Sequence, residues 1–108
     1  GKLQHLQNRI ARNGEKSINW KRFEENFDIV NNQFITRLTK LYPWMSKQER
    51  RLCVYIHMGL SSKEIAPLLN LSTRGVEMMR YRIRSKMDVD SAISLKQHFL
   101  NIQQSITQ

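Results

Sequence analysis

Residues 46–72, SKQERRLCVYIHMGLSSKEIAPLLNLS, carry the same helix-start signal twice. Ser46 is followed three residues later by Glu49, and Ser61 by Glu64, the spacing at which serine and glutamate each satisfy the other's exposed backbone N–H. Each pair predicts a helix start. The first helix carries Leu52, Cys53 and Ile56 inward and stops at Met58-Gly59-Leu60, where Gly59 can turn left-handed and Leu60 can fold back. The second offers Ile65, Ala66, Leu68 and Leu69 to a core, with Asn70 as its end; Pro67, past the first turn, predicts a bent or tightened turn. Ser72 caps a third helix to about Met87. Only Asn70 and Leu71 separate the last two, a length at which helices cross steeply as a helix-turn-helix.

Working outward, Trp20, Phe23, Phe27, Val30, Phe34, Leu38 and Leu41 recur on one seam and predict a single long amphipathic helix from about Ile18 to Leu41, ended by Pro43. Its aromatics read as core packing. Downstream, Ala92, Leu95, Phe99, Ile102 and Ile106 predict a helix from about Asp90 to Gln104, with Asp88 and Asp90 at its positive end. Its narrow seam, Leu95, Phe99 and Ile102 above all, suits a dimer contact. Leu3, Leu6 and Ile10 form a short stripe interrupted by Asn13-Gly14, read as a linker or the end of an upstream coiled coil. The expected organisation is 1–17 linker, 18–43 lead helix and 44–108 helix-turn-helix with a C-terminal helix. With four Gly, two Pro and no sustained period-two alternation, the fold class is all-α.

The chain has a net charge of +9, and residues 46–87 hold nine of its eighteen Lys and Arg but three of its nine acidic residues. An anionic partner is expected, met by a folded surface and not by a basic tail. No run of apolar residues is long enough to span a bilayer, and the single Cys53 cannot form an internal disulfide, so the expected compartment is the cytoplasm. Gly1 in place of Met suggests a piece of something longer. His5, His57 and His98 stand at no metal-ligand spacing, and no phosphate loop or nucleophile motif occurs. Neither an enzyme nor a cofactor is expected.

Winding residues 74–87 at about 100° per residue puts Val76, Met79, Ile83 and Met87 on a core face. Arg74, Met78, Tyr81 and Ser85 then lie opposite, Glu77 and Arg84 on one flank, Arg82 and Lys86 on the other, and Arg80 near the core edge. A major groove admits one such helix. Arg74 suits two parallel hydrogen bonds to guanine, Glu77 suits cytosine N4, Met78 a thymine methyl, and Tyr81 a base or phosphate. Arg82, Arg84 and Lys86 suit phosphates, joined by Ser72 and Lys63 at helix starts. Glu77 balancing Arg74 or Arg80 is an equal alternative, and Arg80 is expected to pair with Glu77 or another carboxylate. The rival reading of the whole is a dimerisation or protein-interaction module whose basic helix meets an acidic protein surface; a membrane-surface helix fits less well, because the apolar face is needed for the core.

The segment Ser46–Met87 resembles the LuxR/GerE-type helix-turn-helix DNA-binding domain. The matching positions are Ser46, Glu49, Gly59, Ser61 with Lys63 to Ala66, Leu69, Ser72, Val76, Ile83, Lys86 and Met87. Gly75 stands where that family has threonine, freeing the backbone to approach DNA or the preceding helix, and Glu77 where it has lysine. The resemblance implies a transcription regulator that binds double-stranded DNA through helix 72–87; a homodimer on DNA is expected from the seam of the last helix or from the N-terminal stripe. Over residues 20–102 the chain looks like the C-terminal output domain of large bacterial sensor-regulators of two-component signalling. That implies the cytoplasmic end of a membrane-anchored protein, with no membrane contact by this segment itself.

Overall fold

Three serines in extended backbone start three successive helices. Ser46, Ser61 and Ser72 each accept, through the side-chain oxygen, the N–H of the third residue along: Glu49, Glu64 and Gly75. At the first two the glutamate returns the bond, Ser46 and Ser61 each donating N–H to a carboxylate oxygen at 2.8 Å. Both expected capping boxes are complete. The structure, a computed structural model, describes residues 16–104; the Leu3, Leu6, Ile10 stripe and Ile106 lie outside the described residues. Within them run α1 (Lys16–Val30), α2 (Phe34–Leu41), α3 (Lys47–His57), α4 (Ser62–Leu69), α5 (Thr73–Met87) and α6 (Leu95–Gln104), with no strand.

Chain reversals follow the local chemistry. After α3, Gly59 takes φ +94, and the N–H groups of Gly59 and Leu60 bond back to Ile56 and Tyr55 carbonyls at 2.9 and 3.1 Å, the double bond that closes a helix end. After α4, Asn70 takes φ 59 and Leu71 N–H reaches the Ala66 carbonyl at 2.9 Å. The helix continues through Pro67, and the turn tightens only at its end, where Asn70 N–H is shared between the Ala66 and Pro67 carbonyls. Leu71 is half-buried and α5 departs immediately, so α4 and α5 form the expected helix-turn-helix.

One core serves every element from α2 to α6. Phe34, Leu38, Leu52, Val54, Ile65, Val76, Ile83 and Phe99 are fully buried, and Phe34 meets Phe99 edge-on at 5.7 Å between ring centres. Leu68, expected inside, is exposed; Ile65, Ala66 and Leu69 already fill the inner face of a two-turn helix. Buried Cys53 lies 3.9 Å from Met45 Sδ, and burial, reinforced by the charge of Glu49, pushes its thiol far above the usual range. It is inert packing.

Three expectations fail here. The single helix over 18–41 is broken at Asn31–Gln33. Asp28 Oδ1 accepts Ile35 N–H at 2.6 Å, while its Oδ2 accepts the N–H and hydroxyl of Thr36 at 3.1 and 2.6 Å, capping α2 separately. The break turns Phe34 and Leu38 into the core and leaves Val30 and Leu41 outside. The last helix starts at Leu95 and not near Asp90. Asp90 Oδ1 accepts Ala92 N–H at 2.9 Å, an Asx turn that holds Ala92 outside any helix, and Ser94 Oγ caps α6 by accepting Gln97 N–H at 3.0 Å. Asp88, expected at that helix's start, instead closes α5 at φ 56. Finally, Leu95, Phe99 and Ile102 do not form an open dimer seam: all three are buried against this chain's own core.

Two half-buried side chains pin α6 to the α2–α3 connection, Tyr42 OH lying 2.8 Å from His98 Nε2. Burial, and secondarily the Arg84 charge, lowers the His98 pKa, while burial raises that of Tyr42. Both shifts favour the neutral pair, hydroxyl donating to imidazole. A histidine with a lowered folded pKa is protonated first in the unfolded chain, so its contribution is complete above the ordinary imidazole value near 6.5 and is lost as pH falls below it. Thermal melts should therefore show a midpoint that declines from pH 7 to 5, and His98→Gln should flatten that decline.

Candidate nucleic-acid interface

α5 is cut lengthwise by its own sequence. Val76, Ile83 and Met87 are buried and Met79 is half-buried against the core, so the expected core face is the observed one. On the other side Arg74, Glu77, Met78, Tyr81, Arg82, Ser85 and Lys86 are all exposed, Tyr81 by 77%. Such an exposed aromatic beside two arginines has its apolar area unspent. Among the described residues, the ion pair within 4 Å is Arg50–Glu24, at 2.6 Å between α3 and α1. Glu77 therefore pairs with neither Arg74 nor Arg80, and half-buried Arg80 has no carboxylate partner. Among the described residues, Arg74 and Arg82 on this face have no carboxylate partner.

The start of α5 differs from those of α3 and α4 in one respect that the residues alone show. Its third position is Gly75, with no side chain to return a bond to Ser72, and its first turn holds no acidic residue. Its positive end thus carries no carboxylate, whereas Glu49 and Glu64 occupy the other two. A Cβ at Gly75 would lie 3.2 Å from Ser72 Oγ and 3.7 Å from Leu71 Cβ, so the tight neighbour is its own cap and not α4. Lys63 is exposed in the first turn of α4, where a cation is repelled by the helix dipole unless an anion is near.

Three of the five residues expected to meet phosphate have partners within the chain: Ser72 Oγ caps α5 by accepting Gly75 N–H at 2.9 Å, and Arg84 and Lys86 are held by their surroundings. Arg84 is not free: its Nη2 donates to the Asp90 and Ile93 carbonyls at 2.9 and 2.6 Å, clamping the α5–α6 connection. Those are carbonyls that a helix begun at Asp90 would use internally, so the clamp also explains the late start of α6. Arg84→Ala should cost about 1–3 kcal/mol of stability, the usual loss on removing a charged donor from carbonyls, read by urea unfolding. Lys86 Nζ sits 4.1 Å above the Trp44 ring, held over the exposed indole after α2. Neither partner was legible by spacing, since Trp44 and Lys86 are 42 residues apart. Lys63, Ser72 and Arg82 are exposed.

His57 and His98 take structural places. His57 stacks on Phe34 at 4.3 Å between ring centres, its Nε2 meets Gln103 Oε1, and its Nδ1 is buried without a partner. Among the described residues no group of His, Cys, Asp and Glu could hold a metal ion, and no helix is long and apolar enough to cross a membrane.

No curated protein and no solved structure gives a significant match to the chain. The model of one family does match, over residues 43–99, more than half of the chain, and that span runs from the turn before α3 through both halves of the helix-turn-helix into α6. With its two capping boxes, its glycine stop and its exposed basic α5, the chain belongs to the luxR family of bacterial regulatory proteins, whose helix-turn-helix binds DNA.

Proposed function

We propose that this domain binds double-stranded DNA sequence-specifically as the output domain of a bacterial transcription regulator, with α5 in the major groove. The observation that carries this reading is the exposed face of α5, where Arg74, Met78, Tyr81 and Arg82 project from a helix whose opposite face is spent on the core. Arg74, in the first turn, is placed as recognition-helix residues that meet base edges are placed. Glu77, Met78 and Tyr81 follow along the same side. Lys63, Ser72, Arg82 and Lys86 border phosphate, and the positive end of α5, which carries no carboxylate, favours one phosphate oxygen more. A domain that reads the bacterial chromosome works in the cytoplasm. A homodimer reading two half-sites one DNA turn, about 34 Å, apart belongs to the same proposal.

A salt titration of DNA binding tests it against the rival contact with an acidic protein. Neutralising phosphates with Lys63, Arg82, Lys86 and the helix end predicts a slope of log affinity against log salt of roughly −3 or steeper, at about −0.9 per phosphate. Selection from a random DNA pool should enrich one sequence, as an inverted repeat if two copies bind. Absence of measurable DNA affinity at low salt would remove the proposal.

A further inference from the structure

Among the described residues, the turn between α1 and α2 is where two successive residues are left-handed, whereas Asn70 and Asp88 stand singly at helix ends. Asn32 and Gln33 are consecutive left-handed residues, φ 55 and 59, and neither is glycine. A side chain with a Cβ disfavours that region, glutamine more than asparagine. The closed turn is held by the Asp28 bonds to Ile35 and Thr36, and by Asn32 Nδ2 donating to the Gln103 carbonyl at 2.6 Å.

The sequence pattern ignores this turn. Wound as one helix, Trp20, Phe23, Phe27, Val30, Phe34, Leu38 and Leu41 fall within an arc of about 80°, at about 100° per residue. In the closed form Val30 is 80% exposed and Leu41 57%, with Ile29 beside them at 78%. Meanwhile α1 docks on α3 through three separate points. The Trp20 ring lies 5.8 Å from Tyr55 and 4.6 Å from the Arg51 guanidinium, Glu24 bonds Arg50 at 2.6 Å, and Phe27 lies 6.1 Å from His57. None of these contacts requires both helices to belong to one chain.

We propose that α1 is an exchangeable arm. Residues 31–33 rewind into helix, α1 and α2 become one rod of about 39 Å at 1.5 Å per residue, and two copies each lay α1 against α2 and α3 of the other. Every α1–α3 contact is remade between copies, the left-handed strain is relieved, and Val30 rejoins the seam. What is lost is the Asp28 cap, the Asn32–Gln103 bond and the bond from Arg37 Nε to the Asn32 carbonyl at 2.9 Å. A short hinge under strain, joined to an arm whose contacts are all transferable, is the arrangement that favours exchange between identical chains. The partner is therefore a second copy of this chain, and the proposal is independent of the DNA reading.

Sedimentation of the whole chain over a wide concentration range, with two hinge variants, tests it. Gln33→Gly accepts the closed turn and disfavours the rod, and with two hinges per dimer should weaken dimerisation roughly 30-fold. Asn32→Ala removes the residue that best tolerates the turn, together with its bond to Gln103, and should strengthen dimerisation by a similar factor. A Glu24→Cys copy mixed with an Arg50→Cys copy should give a covalent dimer of one of each with a short bismaleimide, and the wild type should not. A chain that stays monomeric in both wild type and Asn32→Ala overturns the proposal. So does a dimer that is indifferent to Gln33→Gly and gives no mixed cross-link.

Discussion

Phe99→Ala should destabilise the domain by about 3–5 kcal/mol, the range for truncating a fully buried phenylalanine. The ring is wholly buried on α6 and meets Phe34 edge-on at 5.7 Å, so its removal opens a cavity where α2 and α6 meet. Domains of this size hold about 5–15 kcal/mol in all. The variant should therefore unfold at far lower urea, and by the same amount at protein concentrations tenfold apart. Concentration independence is the informative part. A seam for a partner would lose association and keep the monomer's stability, and that outcome would return Leu95, Phe99 and Ile102 to an interface.

The second large effect concerns recognition. Arg74→Ala should weaken binding to the selected sequence by about 10- to 100-fold, the worth of one bidentate arginine–guanine contact, while changing affinity for random DNA little. Arg74→Lys separates the two contributions of that side chain, because lysine keeps the charge but lacks the planar two-pronged donor. It should leave the affinity for random DNA at the wild-type level and the sequence preference as relaxed as in Arg74→Ala. Competition assays with specific and random duplexes measure both. Equal losses on both duplexes would mean that Arg74 meets phosphate and that α5 lies differently in the groove.

These two residues also mark how far the sequence could be read. Winding one helix is enough to put Arg74 on the outer face, because Val76, Ile83 and Met87 form a buried stripe that leaves only one way for α5 to face. Arg84 belongs to that same helix, but its guanidinium is engaged within the chain. Its partners are carbonyls of Asp90 and Ile93, and nothing in the spacing of side chains announces a hydrogen bond to backbone. Lys86 is an intermediate case: its exposure was readable, its seat on Trp44 was not.

The lead segment shows the same division from the opposite side. Periodicity over residues 18–41 favours one helix throughout, yet Asp28 and the left-handed pair Asn32 and Gln33 convert it into a hairpin. The pattern marks the apolar positions; its continuity gives way to a turn held by Asp28, with Phe34 wholly buried on the helix that follows.

The sequence by itself determined everything that rests on neighbours a few residues apart: the two capping boxes, the glycine stop after α3, the short joint between α4 and α5, and the division of α5 into inner and outer faces. These are local hydrogen-bond and helical-repeat effects, complete within about two turns. Only the tertiary structure decided which apolar seams are spent internally and which cations are already held. Leu95, Phe99 and Ile102 look free until α2 and α3 cover them, and Arg84 looks free until the chain beyond Asp88 folds back to it. Burial and long-range bonding depend on what else arrives at a surface, and that is fixed by the packing of distant elements.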